Sequence, residues 1–535
     1  MKYTAKWLLL LAALTGLWAL SPRTAPAQLG PERAARVDSV FADMNRTDGP
    51  GCALGVVRDG RLAYANGYGI ANLDYRRPIT PSTTFYMGSV SKQFVAAAVV
   101  LAERDGHLSL GDPVRKWLPD LPEYDGRTIR LRHLIHHTSG LRDYLSLATL
   151  AAFDRGDYHD TGEYLDLVYR QQGLNFRPGA EYRYSNTNYL LLAEVVEAAT
   201  GSTLREYADE HLFDPLGMRS THFHDDRTHV IRNRAVGYAR AERGFEMVHP
   251  WDWEEVGSGG LYSSAKDLAR WDQHFDTESV GGEGFTEQMT TRGVLASGDT
   301  LDYAFGLDIG TYRGQPVAQH GGAFTGFRSH YLRFPEAGRS VVVLCNMDSA
   351  NPGTYARSVA DIVLEGQLAP REEEDGKRAE DAPTREMTPD ALEQYVGTYR
   401  SPEDRRYVQF LVGEERLIAE ASGGQYPLRP IGPDRFAMEG PPVEWHSRER
   451  AQAGPSERSY APAATPRPSA VWRSPPTRRR SAGRLRAATT ARSSAWATGS
   501  SPPATASSSC RATGSRRASA LASRRSFGSR AGSSG

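Results

Sequence analysis

Cysteine is nearly absent. The chain of 535 residues holds three, Cys52, Cys345 and Cys510, which excludes a disulfide-framed scaffold and any Cys-rich zinc site. Cys52 and Cys345 lie in strand-like runs. They are either core residues or, in an oxidising compartment, a bridged pair. Long apolar runs are scarce too. Trp7 to Leu20 is one, but it is short for a bilayer anchor, and nothing later approaches the ~18 apolar residues a membrane helix needs. Lysine is the third shortage: six residues (2, 6, 92, 116, 266 and 377) within 64 Lys+Arg. Arginine supplies almost every permanent positive charge. A position that needs an amine able to lose its proton cannot use arginine, whose pKa lies above about 12. Each lysine is therefore worth weighing for chemistry.

Net charge is also missing, with 64 basic residues against 64 acidic. The balance hides segregation. Residues 1–27 carry three positive charges and no acid, and residues 451–535 carry 15 Arg and one acid, Glu457, which leaves −17 on 28–450. An acidic body is not built to coat nucleic acid.

What is present reads in order along the chain. Lys2 and Lys6, the apolar run and Ala25-Pro26-Ala27 form a signal peptide over 1–27, which implies a periplasmic or secreted protein with no transmembrane segment once it is cut. Residues 31–44 are helix-like. CALGVV, Asp59-Gly60 and RLAYANGYG predict a hairpin. From about 89 to 275 helical patterns dominate, with helices ended by Gly106 and Gly201. A second hairpin is expected over 327–347, and a helix over 355–364. Strands at both ends with helices between predict an α+β fold: one antiparallel sheet built from both termini, with a helical insertion. Residues 28–366 make this domain, and 367–388 read as a linker. Short strand-like runs over 389–446 suggest a small C-terminal β-barrel-like domain. Residues 447–535 have almost no large apolar residue and cannot build a core. They read as a disordered cationic tail or as a shifted reading frame.

The candidate site begins at Gly88-Ser89-Val90-Ser91-Lys92. Ser89 and Lys92, three apart, share a helix face. Ser89 would stand at a helix N-terminus, which favours developing negative charge. Lys92 would stand in a helix apolar nearly all round, where burial disfavours the ammonium form and makes the amine a candidate proton acceptor. A second Ser-x-x-K occurs at Ser263 to Lys266; either one alone can be an N-capping serine beside a solvated lysine. Order separates them. Tyr184-Ser185-Asn186 and His320-Gly321-Gly322-Ala323 follow Ser89, whereas the other Tyr-x-Asn, Tyr64-Ala65-Asn66, precedes both pairs. Only Ser89, Tyr184 and His320 head a complete ordered set for serine acyl transfer.

FYMGSVSKQF, IRLRHLIHHTSGLRDY, RPGAEYRYSNTNYLLLAEVVE, PLGM, GSGGLYSSAKDLARW and HGGAFTGF together resemble the serine β-lactamase-related hydrolases. That group includes class C β-lactamases, penicillin-binding DD-peptidases, esterases and D-amino-acid peptidases. The resemblance covers roughly 33–364, and 389–445 resemble a lipocalin-like barrel that some members carry. It implies a β-lactamase/transpeptidase-like fold, with Ser89 as acylated nucleophile and Lys92 and Tyr184 as proton-shuttling pair. Asn186, His320, Gly321 and Gly322 would orient substrate, and the N–H groups of Ser89 and Ala323 would form the oxyanion hole. No cofactor or metal is implied. The substrate would be a small molecule or peptide, peptidoglycan fragments included. Where many β-lactamases carry Lys-Thr-Gly or Lys-Ser-Gly, this chain has His-Gly-Gly. A histidine is mostly neutral at pH 7, so it is a poor partner for a substrate carboxylate unless its surroundings raise its pKa. That favours a peptidase or esterase over a β-lactamase. A penicillin-binding or peptidoglycan-sensing protein without turnover is the reading from another class.

Three further features invite other readings. His222-Phe223-His224-Asp225-Asp226-Arg227 nearly matches a zinc pattern but ends in a cation, so no metal is expected. His133, His136 and His137 read as structural. Gly257-Ser258-Gly259-Gly260 lacks a following Gly-Lys-Ser/Thr, so it reads as a tight turn near the site and not a phosphate loop.

Overall fold

The computed structural model describes residues 28–370, apart from 152, 154–157 and 249–253, and stretches of 387–446. The leader-like 1–27, most of the expected linker, Trp251, Trp253 and residues 447–535 lie outside the described residues.

The first helix, α1 (Pro31–Ser39), is shorter than its sequence pattern. The chain leaves it for a single 3₁₀ turn, Ala42–Met44. The break lets Phe41 lie flat on Tyr68, ring centroids 4.5 Å apart. Asp38 pins the same helix to the sheet, accepting from the hydroxyls of Tyr64 at 2.5 Å and Tyr68 at 2.6 Å and from Asn66 Nδ2 at 3.2 Å. The second Tyr-x-Asn is thus a structural clasp.

The predicted hairpin forms as β1 (Cys52–Arg58) and β2 (Arg61–Tyr68). Asp59 and Gly60 at its turn take φ of 49° and 67°, the left-handed pair a tight two-residue hairpin requires. Late in the chain come β3 (Asp308–Tyr312), β4 (Gln315–Phe324), β5 (Phe327–Phe334) and β6 (Arg339–Cys345). The order across the sheet is β3-β4-β5-β6-β1-β2, antiparallel throughout. The two termini meet at β6–β1, where Cys52 stands directly opposite Cys345. The two are disulfide-bonded.

Strand alternation gives the sheet two cores. Cys52, Leu54, Val56 and Val343 pack on one side with Val37, Phe41 and Val359 of the terminal helices, the last in α5 (Pro352–Val363). Ala53, Val342 and Leu344 face the helical insertion on the other. Three helices of that insertion matter below: α2 (Lys92–Arg104), α3 (Asn186–Thr200) and α4 (Ala265–Thr277). α2 is alanine- and valine-rich and buried from Lys92 to Ala102, which suits a helix enclosed on every side. Gly106 and Gly201 take φ of 79° and 78° at the predicted helix ends. The insertion also holds short strands at Phe85–Tyr86, His222–Phe223 and Leu261–Ser263, too short for a periodicity to show.

α4 is bolted to the sheet by charge. Asp272, 2% exposed, accepts from Tyr331 Oη at 2.7 Å, from Arg333 Nη1 at 2.9 Å and from Ser340 Oγ. Arg333 also pairs with Asp276. Removing one partner of a buried pair strands the other. Asp272→Ala is therefore expected to cost about 3–5 kcal/mol, read as a lowered urea midpoint, while Asp276→Ala, more exposed, costs less.

The described strands of 397–446 form a separate six-stranded antiparallel meander. Phe410, Leu417, Leu428 and Phe436 make its core with Leu392 and Tyr395. Among the described residues its first and last strands are not paired with each other.

Candidate active site

Ser89 lies in a 3₁₀ turn, Gly88–Ser91, that runs straight into α2. The sequence placed it at the start of an α-helix; the tighter turn instead sets it just ahead of one. Gly88 takes φ of 52°, and a Cβ there would sit 2.7 Å from Ala323 N. The turn and β4 thus touch backbone to backbone. Ser329 Oγ on β5 adds a hydrogen bond to Met87 O at 2.6 Å.

Lys92, in the first turn of α2, is fully buried. Its Nζ lies 3.0 Å from Ser89 Oγ, 2.9 Å from Asn186 Oδ1 and 2.6 Å from Ser258 O. Two of these partners are carbonyl oxygens, which only accept. They take two of the amine's N–H groups. The third neighbour is Ser89 Oγ, which alone of the three has a proton to give.

Asn186 opens α3, and its backbone N–H donates to Asp143 Oδ2 at 2.6 Å. His137 Nδ1 accepts from Ser185 N at 3.2 Å and lies 3.0 Å from Asn188 Nδ2. His137 and Asp143 therefore brace the start of α3, and His133 caps a short helix through Arg130 N. Burial pushes His133 and His136 down to about 4, so both are neutral. Tyr184 lies with its ring centroid 4.9 Å from Lys92 Nζ and 4.3 Å from that of His137.

His320, on β4, faces the same space, its ring 6.2 Å from that of Tyr184. Its Nδ1 is 2.7 Å from Gly321 O and its Nε2 is 3.2 Å from Tyr303 Oη. The carbonyl can only accept, so Nδ1 carries the proton and Nε2 receives the tyrosine O–H. Both nitrogens are occupied. Burial, joined by the charge of Lys92, pushes the ring down to about 4. It is neutral at pH 7, and its surroundings act against the charge a substrate carboxylate would need. Gly322 faces the Ser89 turn, where a Cβ would meet Met87 O at 2.0 Å; Gly321 faces away and has room.

Sequence reasoning missed Asp143, the Ser258 carbonyl, and the Tyr144 and Glu255 side chains around it. Backbone acceptors carry no residue signature, though the glycines flanking Ser258 mark the turn. The second Ser-x-x-K is structural: Ser263 Oγ is buried 2.8 Å from Thr221 Oγ1, its neighbour Ser264 caps α4 by accepting from Asp267 N at 3.3 Å, and Lys266 is exposed. His222 and His224 pack against Tyr262. Among the described residues no group of three or more His, Cys, Asp or Glu is arranged to hold a metal ion.

A serine, a buried lysine one turn on, a Tyr-x-Asn and a glycine-bearing edge, gathered beside this sheet, define the class of serine β-lactamase-related proteins. A family model described as beta-lactamase matches residues 37–364, and the chain belongs to that family. It is 32% identical over 330 residues to the D-aminopeptidase of Gluconobacter oxydans, covering 61% of this chain and 62% of that one. It therefore spans about six-tenths of the length of that relative. It is 29% identical to penicillin-binding protein 4* of Bacillus subtilis over 72% of this chain and 87% of that one. The penicillin-binding protein homologue of Pyrococcus abyssi shares the fold, with a TM-score of 0.56 at 24% identity over 76% of this chain and 92% of that one.

Proposed function

We propose that the chain is an exported serine hydrolase that forms an acyl-enzyme on Ser89 and cleaves amide or ester bonds next to D-amino acids. One observation carries this reading: the buried Lys92 Nζ, held by two carbonyl acceptors, lies 3.0 Å from Ser89 Oγ. In acylation the Ser89 proton passes to Lys92 as Oγ bonds to the substrate carbonyl carbon. The oxyanion faces the N–H groups of Ser89 and Ala323. Lys92 and Tyr184 return the proton to the leaving amine or alcohol as its bond to carbon breaks. Water then repeats the sequence and frees the acid. Asn186 orients Lys92 through Oδ1.

The neutral, fully engaged His320 supports neutral amides and esters over carboxylate-bearing β-lactams as substrates. The D-amino-acid preference rests on likeness to the D-aminopeptidase. Export rests on the leader-like 1–27 and on the Cys52–Cys345 bridge, a bond that persists in oxidising compartments. The domain limits follow the same reading: hydrolase 28–366, linker 367–388, β domain 389–446.

The test follows intact mass after mixing with D-alanine p-nitroanilide or with a penicillin, beside Ser89→Ala. An adduct or turnover seen only with Ser89 present is expected. Turnover of the anilide with little penicillin adduct fits the peptidase. A lasting penicillin adduct without turnover fits a penicillin-binding sensor instead, and activity that survives in Ser89→Ala would end the acyl-enzyme reading.

A further inference from the structure

One buried acid is tied to Lys92 and takes no part in the steps above. Glu255 is 1% exposed. Its Oε2 accepts from Tyr144 Oη at 2.7 Å and from Ser258 Oγ at 3.4 Å, and its Oε1 accepts from Ser258 N at 3.3 Å. Tyr144 Oη also lies 3.0 Å from Ser258 Oγ. The same Ser258 presents its carbonyl to Lys92 Nζ at 2.6 Å. The carboxylate and the amine are thus joined through one residue, and all these side chains are buried.

The turn between them has no slack. Gly257 and Gly260 take φ of 117° and 79°, and a Cβ on Gly259 would meet Tyr86 Oη at 2.5 Å. Tyr86 Oη accepts from Gly260 N at 2.9 Å. Two tyrosines and one glutamate thereby fix where the Ser258 carbonyl points.

We propose that Glu255 is the buried counter-charge of Lys92 and the positioning residue that holds the Ser258 carbonyl against it. The inference rests on Lys92 as the base for Ser89. Burial disfavours the ammonium form, and a carboxylate one residue away favours it. The two effects oppose each other and leave an amine able both to take a proton and to give it back. The groups facing Lys92 include Ser89, Asn186, Ser258, Tyr184, Tyr189 and His320. Those facing Glu255 include Tyr86, Tyr144 and Glu194, and Glu194 is itself pushed up to about 7 by burial, Glu197 and Glu255.

Six lysines make Lys92 observable. In the full chain labelled with ¹³Cε-lysine, its resonance is assigned by its loss in Lys92→Met and followed with pH. Glu255→Gln keeps the shape and removes the charge. The Lys92 midpoint should then fall by about half a pH unit or more. Glu255→Asp, which keeps the charge, should stay near wild type. A midpoint unmoved or raised in Glu255→Gln overturns the proposal. If that variant does not fold, Glu255→Asp decides, and a fall there overturns the proposal as well. The titration needs no substrate, so the counter-charge and the acyl-enzyme reading can fail separately.

Discussion

Lys92→Arg is expected to lower kcat/KM on an amide or ester substrate by about 10⁴, with Lys92→Met falling as far. The two variants separate base from charge. Arginine keeps a cation beside Ser89 but cannot lose its proton near neutral pH. Methionine keeps length and apolar packing but offers no proton acceptor at all. If Lys92 served only as a cation near the oxyanion, arginine would retain much of the rate and methionine little. If it takes the Ser89 proton, both lose it. The loss should sit in kcat, because Lys92 lies behind the serine and is fully buried, away from substrate groups that set KM. Asn186→Ala should fall less, since the Ser258 carbonyl still holds the amine. Steady-state kinetics check this, with circular dichroism to show each variant folded. A Lys92→Arg enzyme keeping a tenth of the wild-type rate would remove Lys92 from the role of base.

The residues that converge were legible because each carries chemistry in its side chain and their chain order is constrained. Asp59-Gly60, Gly106 and Gly201 were legible for a simpler reason: each needs or tolerates positive φ, and glycine or aspartate next to a strand or helix pattern signals it. The sheet built from both termini followed from where strand patterns stood. Its strand order did not, since pairing β1 with β6 depends on contacts almost 300 residues apart. For the same reason Cys52 and Cys345 stayed open between core residues and a bridge, until register set them opposite each other. The Ser258 carbonyl was invisible, because every residue has one and only the fold aims it. His320 shows a different limit. Its type was read as a weak partner for a carboxylate. That Tyr303 and the Gly321 carbonyl occupy both its nitrogens was a fact of packing.

The second large effect belongs to β4. Gly322→Ala is expected to lower kcat by about 10²–10³, while Gly321→Ala, one residue earlier, should stay within about twofold of wild type. Strand alternation sends the two added methyls to opposite faces. At 322 the methyl would come within 2.0 Å of Met87 O and 2.3 Å of Ser329 Oγ. Those two atoms are the partners of the 2.6 Å hydrogen bond that fastens the Ser89 turn to β5. The methyl therefore wedges the turn away from β4, and with it the Ser89 N–H away from the Ala323 N–H. Neither residue is lost and the general base stays in place, so a fall in rate would report the separation of two oxyanion donors. At 321 the nearest atom, His330 Nδ1, is 3.5 Å away, an ordinary contact. Rates for the pair on one substrate, with melting temperatures beside them, give the comparison. A folded Gly322→Ala protein with undiminished kcat would mean that the oxyanion is held elsewhere. A loss at both positions would point to general damage of β4 rather than to the spacing between the two N–H groups.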